Sequence, residues 1–191
     1  MPIPLGVLAV AGAGAGPVGA GNAYEWLETQ VLTGTQASVT FSNLNSSYGA
    51  TYQHLQLRIT ARSSHTAITS PRIRLNGDST AIYDFHDLRG TGSSMLSQAG
   101  TNNQSMYLGD ILGTNNTANA FGAYLVDILD AFETTKNKTM RCLSGYAADS
   151  RQIDLTSSQW RNTAAVTSIQ VLLDSGSYVS GSRFSLYGMK G

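Results

Sequence analysis

His86 sits in the string Tyr-Asp-Phe-His-Asp-Leu, Tyr83 to Leu88, with a carboxylate on either side. An imidazole beside carboxylates is the raw material of a metal half-site, or of a general base oriented by an acid. On an extended strand, however, alternate side chains take opposite faces, so Asp84 converges with His86 while Phe85 and Asp87 turn away. One such pair is too little for either chemistry, and the residue types fit a surface or inter-strand hydrogen bond. His54 and His65 flank a strand with no second His or Cys at ligand spacing, and suit solvated positions or a subunit contact. Asp127 and Asp130 form a close carboxylate pair inside an apolar segment, and two carboxylates facing each other across a sugar can hydrolyse it. Three residues apart on a strand they point to opposite faces, so capping the strand end or pairing with Arg141 is the reading they favour.

Cys142 is the single cysteine, without a CxxC partner or a neighbouring His, and reads as a small core residue. There is no Gly-x-Ser-x-Gly elbow, and Gly90-Thr91-Gly92 lacks the strand-to-helix context of a phosphate loop. Lys136, Lys138 and Arg141 make a small basic cluster with no aromatic platform, which suits a solvated loop rather than nucleic acid. Four Asn-x-Ser/Thr sequons, at Asn45, Asn103, Asn115 and Asn137, are expected by chance in so amide- and hydroxyl-rich a chain. The expectation is a chain that is not an enzyme, with no catalytic, metal or cofactor-binding residues.

What must such residues be carried on? The chain has 191 residues, one domain's worth, and balances 12 Lys and Arg against 12 Asp and Glu. A zero net charge leaves no electrostatic footprint for phosphate backbones or anionic lipid, which sets aside nucleic-acid and membrane partners. Charged residues are only 13%, while Ser, Thr, Asn and Gln number 61. Helix surfaces draw on Glu, Lys and Arg, whereas strand surfaces favour Thr and Ser, so the balance points to an all-β protein.

Alternation supports this. Gln53 to Arg62 places Leu55, Leu57, Ile59 and Ala61 on one face. Arg72 to Ile82 alternates through Ile73 and Leu75 and then reaches Asn76-Gly77, the signature of a two-residue type I′ turn, which predicts a hairpin. Phe121 to Asp130 reads as a buried strand, Thr139 to Tyr146 puts Met140, Cys142, Ser144 and Tyr146 together, and Ala165 to Leu173 and Arg183 to Met189 close the set. A short helical candidate lies around Ser157 to Arg161. Ser93 to Asn119 is the least patterned stretch, a long polar segment around one expected strand at Met106 to Leu112, and such loops are where partner contacts sit. Tyrosines at Tyr24, Tyr48, Tyr52, Tyr107, Tyr146 and Tyr178 fall in loops or at strand ends, and suit subunit interfaces and carbohydrate platforms equally. About eight strands with Gly-, Asn- and Ser-rich turns predict an antiparallel β-sandwich, jelly-roll-like, over residues 24–191.

Residues 1–23 stand apart as an extended apolar N-terminal arm with no charged side chain. A secretory signal wants a basic start, yet the first Lys or Arg is Arg58, and Gly6, Pro17 and five further glycines interrupt any membrane-spanning helix. Two readings stand: a disordered tail, or a strap in which Ile3, Leu5, Val7, Leu8 and Val10 bind a neighbouring subunit.

The segments YEWLETQVLTGTQASVTFSNL from Tyr24, YQHLQLRITAR from Tyr52, IRLNGDSTAIYDFH from Ile73, VDILDAFETTKNKTMRCLSGY from Val126, WRNTAAVTSIQVLL from Trp160 and the closing GSRFSLYGMKG, in that order, resemble a family of tailed-bacteriophage virion structural proteins. The resemblance spans Tyr24 to Gly191, with Met189 standing where Ile or Leu follows FSLYG in the family. It implies a jelly-roll capsid decoration or cement protein on the particle exterior, a homotrimer by analogy, whose partners are copies of itself and the major capsid protein or other virion proteins. The alternatives are a tail-fibre, baseplate or head-fibre module meeting a host surface glycan, or a free glycan-binding jelly roll. The family brings no catalytic residues.

Overall fold

The computed structural model describes residues 23–149 and 151–191, so the arm residues Ile3, Leu5, Val7, Leu8 and Val10 lie outside the described part. The chain there forms twelve strands and one five-residue helix. In order they are β1 (Tyr24–Val31), β2 (Ser38–Phe41), α1 (Leu44–Tyr48), β3 (His54–Ala61), β4 (Pro71–Leu75), β5 (Tyr83–Gly90) and β6 (Met95–Asn103). They continue with β7 (Met106–Tyr107), β8 (Gly122–Leu129), β9 (Lys138–Tyr146), β10 (Gln152–Trp160), β11 (Ile169–Leu173) and β12 (Arg183–Met189).

Two antiparallel sheets hold these strands, an eight-stranded one in the order β1-β12-β3-β8-β9-β10-β5-β6 and a four-stranded one in the order β2-β11-β4-β7. Taking β1, β12, β3 and β8 against β2, β11, β4 and β7 gives the two halves of a jelly roll, the chain passing between sheets at β1–β2, β2–β3, β3–β4, β7–β8, β8–β11 and β11–β12. The remaining strands are two hairpins inserted into that plan, β5–β6 between β4 and β7, and β9–β10 between β8 and β11. They join edge to edge through β10 and β5 and double the width of one sheet. The all-β sandwich expected from composition and alternation is therefore the observed architecture.

The core follows the strand period. Leu55, Leu57 and Ile59 of β3, Tyr124, Val126 and Ile128 of β8, Phe184 and Leu186 of β12, and Ile73, Leu75, Ile169 and Val171 of the facing sheet are all buried. Cys142 is fully buried among them, its sulfur 3.5 Å from the Leu108 carbonyl, and burial pushes its thiol pKa up.

Several expectations need correction. The turn at Asn76-Gly77 forms, with φ of 55° and 69° and the Asp78 N–H donating to Leu75 O at 2.9 Å, but it makes no hairpin. β4 pairs with β11 and β7, and β5 belongs to the other sheet. The reason is Asp78, whose Oδ1 accepts from the Thr80 N–H at 2.9 Å and Oδ2 from Trp160 Nε1 at 3.0 Å, which turns residues 78–82 into a corner between sheets. Ser157 to Arg161 is not helical; all but Arg161 belong to β10, and its hydroxyls misled because that strand's inner face is polar. Ser93 to Asn119 holds the nine-residue β6, an edge strand largely exposed on both sides and so lacking alternation. The strand expected over Met106 to Leu112 shrinks to Met106–Tyr107 plus a bridge from Ile111 to Thr69.

Candidate docking face

The polar inner face of the inserted hairpins begins with Arg89. Its Nε donates to Asp154 Oδ1 at 2.8 Å and lies 3.9 Å from Asp87 Oδ2, and its Nη1 meets Asp110 Oδ2 at 2.9 Å. Gln152 donates to Asp154 at 2.8 Å, Thr156 to Asp87 at 2.9 Å, and Tyr107 to Asp110 at 2.9 Å. Burial raises the Asp154 pKa, and the hydrogen bonds from Gln152 and Arg89 offset only part of that. Burial also opposes the Arg89 charge, but its carboxylate partners outweigh it and hold the guanidinium protonated. The short β7 lies over this part of β5 and β10, so here the sandwich is closed largely by a hydrogen-bonded polar network.

A strand whose inward positions are Asp154, Thr156 and Ser158 must turn Ile153 and Leu155 outward. β5 does the same with Asp87 and Arg89 in and Leu88 out, and β9 with Cys142 in and Leu143 out. Register then lines these residues up. Leu125 pairs with Leu143, Leu143 with Leu155, and Leu155 with Leu88, a row of four leucines crossing four adjacent strands on the solvent face. The next row is Ala123, Gly145, Ile153, Gly90 and Met95, paired in the same way. Relative exposure reaches 48% at Leu143 and at Leu155, 57% at Ile153 and 67% at Met95.

At Ala123, Gly145 and Gly90 the second row is low beside the first. Gly145 has no room for a side chain, because a Cβ there would stand 2.5 Å from the Gln152 carbonyl oxygen. A shallow groove of about 750 Å³ follows, floored by Leu125, Leu143, Gly145 and Ile153 and walled at its β3 and β12 end by Arg58, Arg183 and Tyr187. Beyond that wall the same face turns aromatic: Tyr24 stacks on Tyr187 with centroids 4.9 Å apart, Arg58 lies over both rings, and Trp26 is 63% exposed. The exposed leucines, Ile153 and Met95 together present on the order of 500 Å² of apolar surface, the upper end of what a monomer keeps in water. Covering it releases roughly 25 cal/mol per Å², on the order of 10 kcal/mol before the costs of association. The face is therefore a surface whose burial would be favourable.

The residues singled out for chemistry come together only in small groups, Asp127 with Arg141, and His54 and Lys136 with Asp130. His86 Nε2 meets Ser97 Oγ at 3.0 Å across the β5–β6 pair, while Asp84 faces Arg161 at 3.3 Å and accepts from the Asn102 N–H at 3.0 Å. Asp127 accepts from Gln56 at 2.7 Å and lies 3.4 Å from Arg141. Asp130, in the turn after β8, accepts from Gln53 and from Lys136, and the Lys136 ammonium holds its carboxyl below the usual range. His54 Nδ1 accepts from the Asp130 N–H at 2.8 Å, and His65 lies in an exposed turn 3.1 Å from the Ala67 carbonyl. Lys138 is fully buried and donates to three backbone carbonyls, so the basic cluster of the sequence is split. Tyr52, Tyr107, Tyr146 and Tyr178 are buried and Tyr48 packs half-buried against the core from α1, which leaves Tyr24 as the tyrosine of that set on the candidate face. Among the described residues there is no group of three or more His, Cys, Asp or Glu placed to hold a metal, and no helix long and apolar enough to cross a membrane.

Sequence reasoning missed the leucine row. Its trace is there, in the alternation of Ile153 and Leu155 with Asp154 and Thr156, but alternation alone does not say which set faces inward. No protein-family model, curated protein or solved structure matches the chain.

Proposed function

We propose that this chain is a non-enzymatic structural protein of a tailed-phage particle, a decoration or cement protein on the capsid exterior, that binds copies of itself and the major capsid protein or other virion proteins. The observation that carries the reading is the outward row Leu125, Leu143, Leu155 and Leu88, an apolar surface suited to burial in an assembly. The order of fragments from Tyr24 to the closing FSLYG supports the virion assignment by resemblance, and the neutral amide-rich surface suits a component present in many copies. In this reading Ile3, Leu5, Val7, Leu8 and Val10 anchor the domain to the particle.

The test is mass spectrometry and antibody labelling of gradient-purified particles of the phage that encodes the chain. Peptides in high copy number and label on the head exterior are expected, and removal of residues 1–21 is expected to abolish incorporation of a folded domain. Absence from the particles overturns the assignment, and equal incorporation without the arm overturns the anchor.

A second reading rests on the aromatic end of the same face. Trp26 beside the stacked Tyr24 and Tyr187 offers flat apolar rings to a sugar, as a tail-fibre, baseplate or head-fibre module, or a free glycan-binding jelly roll, requires. Binding on a glycan array that disappears with Trp26→Ala favours it; no binding to any glycan removes it.

A further inference from the structure

We propose that the leucine row is the contact between two copies of this chain, related by a two-fold axis that lies in the interface and runs along the row. The proposal rests on the assembly reading above and names what covers the face, a two-fold contact in place of the three-fold association that the resemblance implies. Its ground is self-complementarity. A ridge (Leu125, Leu143, Leu155, Leu88) runs directly beside a low row on the same four strands (Ala123, Gly145, Ile153, Gly90). A two-fold axis between the rows turns one copy over and exchanges them. Leu125 then stands over Ala123 of the second copy, Leu143 over Gly145 and Leu88 over Gly90, and the reverse contacts follow from symmetry. Only Leu155 meets a large side chain, Ile153, which fills the middle of the interface as an aliphatic pair. Sheet faces stack about 10 Å apart, the separation at which a leucine reaches a glycine opposite and two leucines would crowd.

Area and charge agree with a second copy of the same chain. A standard interface takes about 800 Å² from each partner, a little over half of it apolar. That is roughly 450 Å² of hydrocarbon a side, and the exposed residues of this face supply about as much. The two rows carry no charged side chain on β8, β9, β10 or β5, and Arg58, paired with Leu125 across β3 and β8, stands at the margin of the ridge. β6 adds Met95 at the margin and is itself an edge strand without a charged residue or proline.

Sedimentation equilibrium of the full-length chain from about 1 to 100 µM tests the pairing. The expected wild-type mass is an even multiple of the protomer, and Leu155→Glu is expected to weaken association roughly 100-fold and halve that mass. The double variant Val7→Asp/Leu8→Asp, which puts charge on the arm, is expected to leave the mass unchanged. A wild-type monomer or trimer across the range overturns the proposal, as does an unchanged mass for Leu155→Glu. Dissociation by the arm variant assigns the face to the arm and overturns it equally. Leu143→Ser reads the same contact with a smaller change, and circular dichroism confirms that each variant is folded. The outcome is separate from the virion assignment: absence from particles leaves a two-fold pair in solution intact, and a lone protomer in solution leaves incorporation to be read on its own.

Discussion

Arg89 and Asp154, on adjacent strands of the long sheet, meet inside the sandwich at 2.8 Å, and their immediate neighbours Leu88 and Leu155 therefore meet outside it. The strand period leaves no third option: turning the leucines inward would expose the ion pair and bury Leu88 and Leu155 where Tyr107 of β7 and Asp110 just after it stand as polar partners. The polar network and the apolar face are two sides of one choice, made where the inserted hairpins extend past the four-stranded sheet.

Replacing Arg89 by Met removes the cation and leaves Asp154, Asp110 and Asp87 facing one another in the interior. Breaking a buried pair by deleting one partner costs about 3–5 kcal/mol. Guanidinium unfolding at pH 7 should show a loss of that order for Arg89→Met, and a loss under about 1 kcal/mol contradicts the network as drawn.

Asp154 makes its own prediction in pH. Its pKa is raised by burial above the ordinary 3.8, so between 3.8 and its folded value the native state holds more protons than the unfolded one. Stability contributed by this group rises as pH falls through that window and is flat below it. The difference between wild type and Asp154→Asn should therefore shift in favour of wild type on acidification, read from unfolding free energies at matched pH.

Asp78 should do the opposite. Burial works against its charge, but the hydrogen bonds from Thr80 and Trp160 outweigh it, and its pKa is lowered from 3.8. The contribution is complete above the unfolded value and is lost as pH falls through the folded one. Asp78→Ala leaves the buried Trp160 N–H without its acceptor, and should cost roughly 1–3 kcal/mol at neutral pH, shrinking below about pH 4. Tryptophan fluorescence during unfolding reads both effects.

Arg62 holds a loop. Its Nη1 donates to the carbonyls of Thr117 and Ala120, and its Nη2 to those of Gly113 and Asn116. Lysine carries three donors on one atom and cannot span four carbonyls in a plane. Arg62→Lys should lower stability by about 1–2 kcal/mol and speed proteolytic nicking within residues 113–120, seen by mass spectrometry of limited digests. Nicking no faster than in wild type counts against this role.

The sequence by itself determined the class of fold, because a strand with one hydrocarbon face writes its period into the chain: β3, β8, β9 and β12 are legible at Leu55, Val126, Cys142 and Phe184. It also determined that Asn76-Gly77 turns, since asparagine tolerates left-handed φ and glycine, without a Cβ, adopts it at no steric cost. Tertiary structure alone decided where the chain went next, because Asp78 is held by Trp160 from 82 residues away. β6 left no trace, since an edge strand exposed on both faces imposes no alternation. The candidate face belongs to the same category. Ile153 and Leu155 alternate with Asp154 and Thr156 whichever way the strand is turned, and only the arrival of Arg89 beside Asp154 selects the orientation that sends the leucines out.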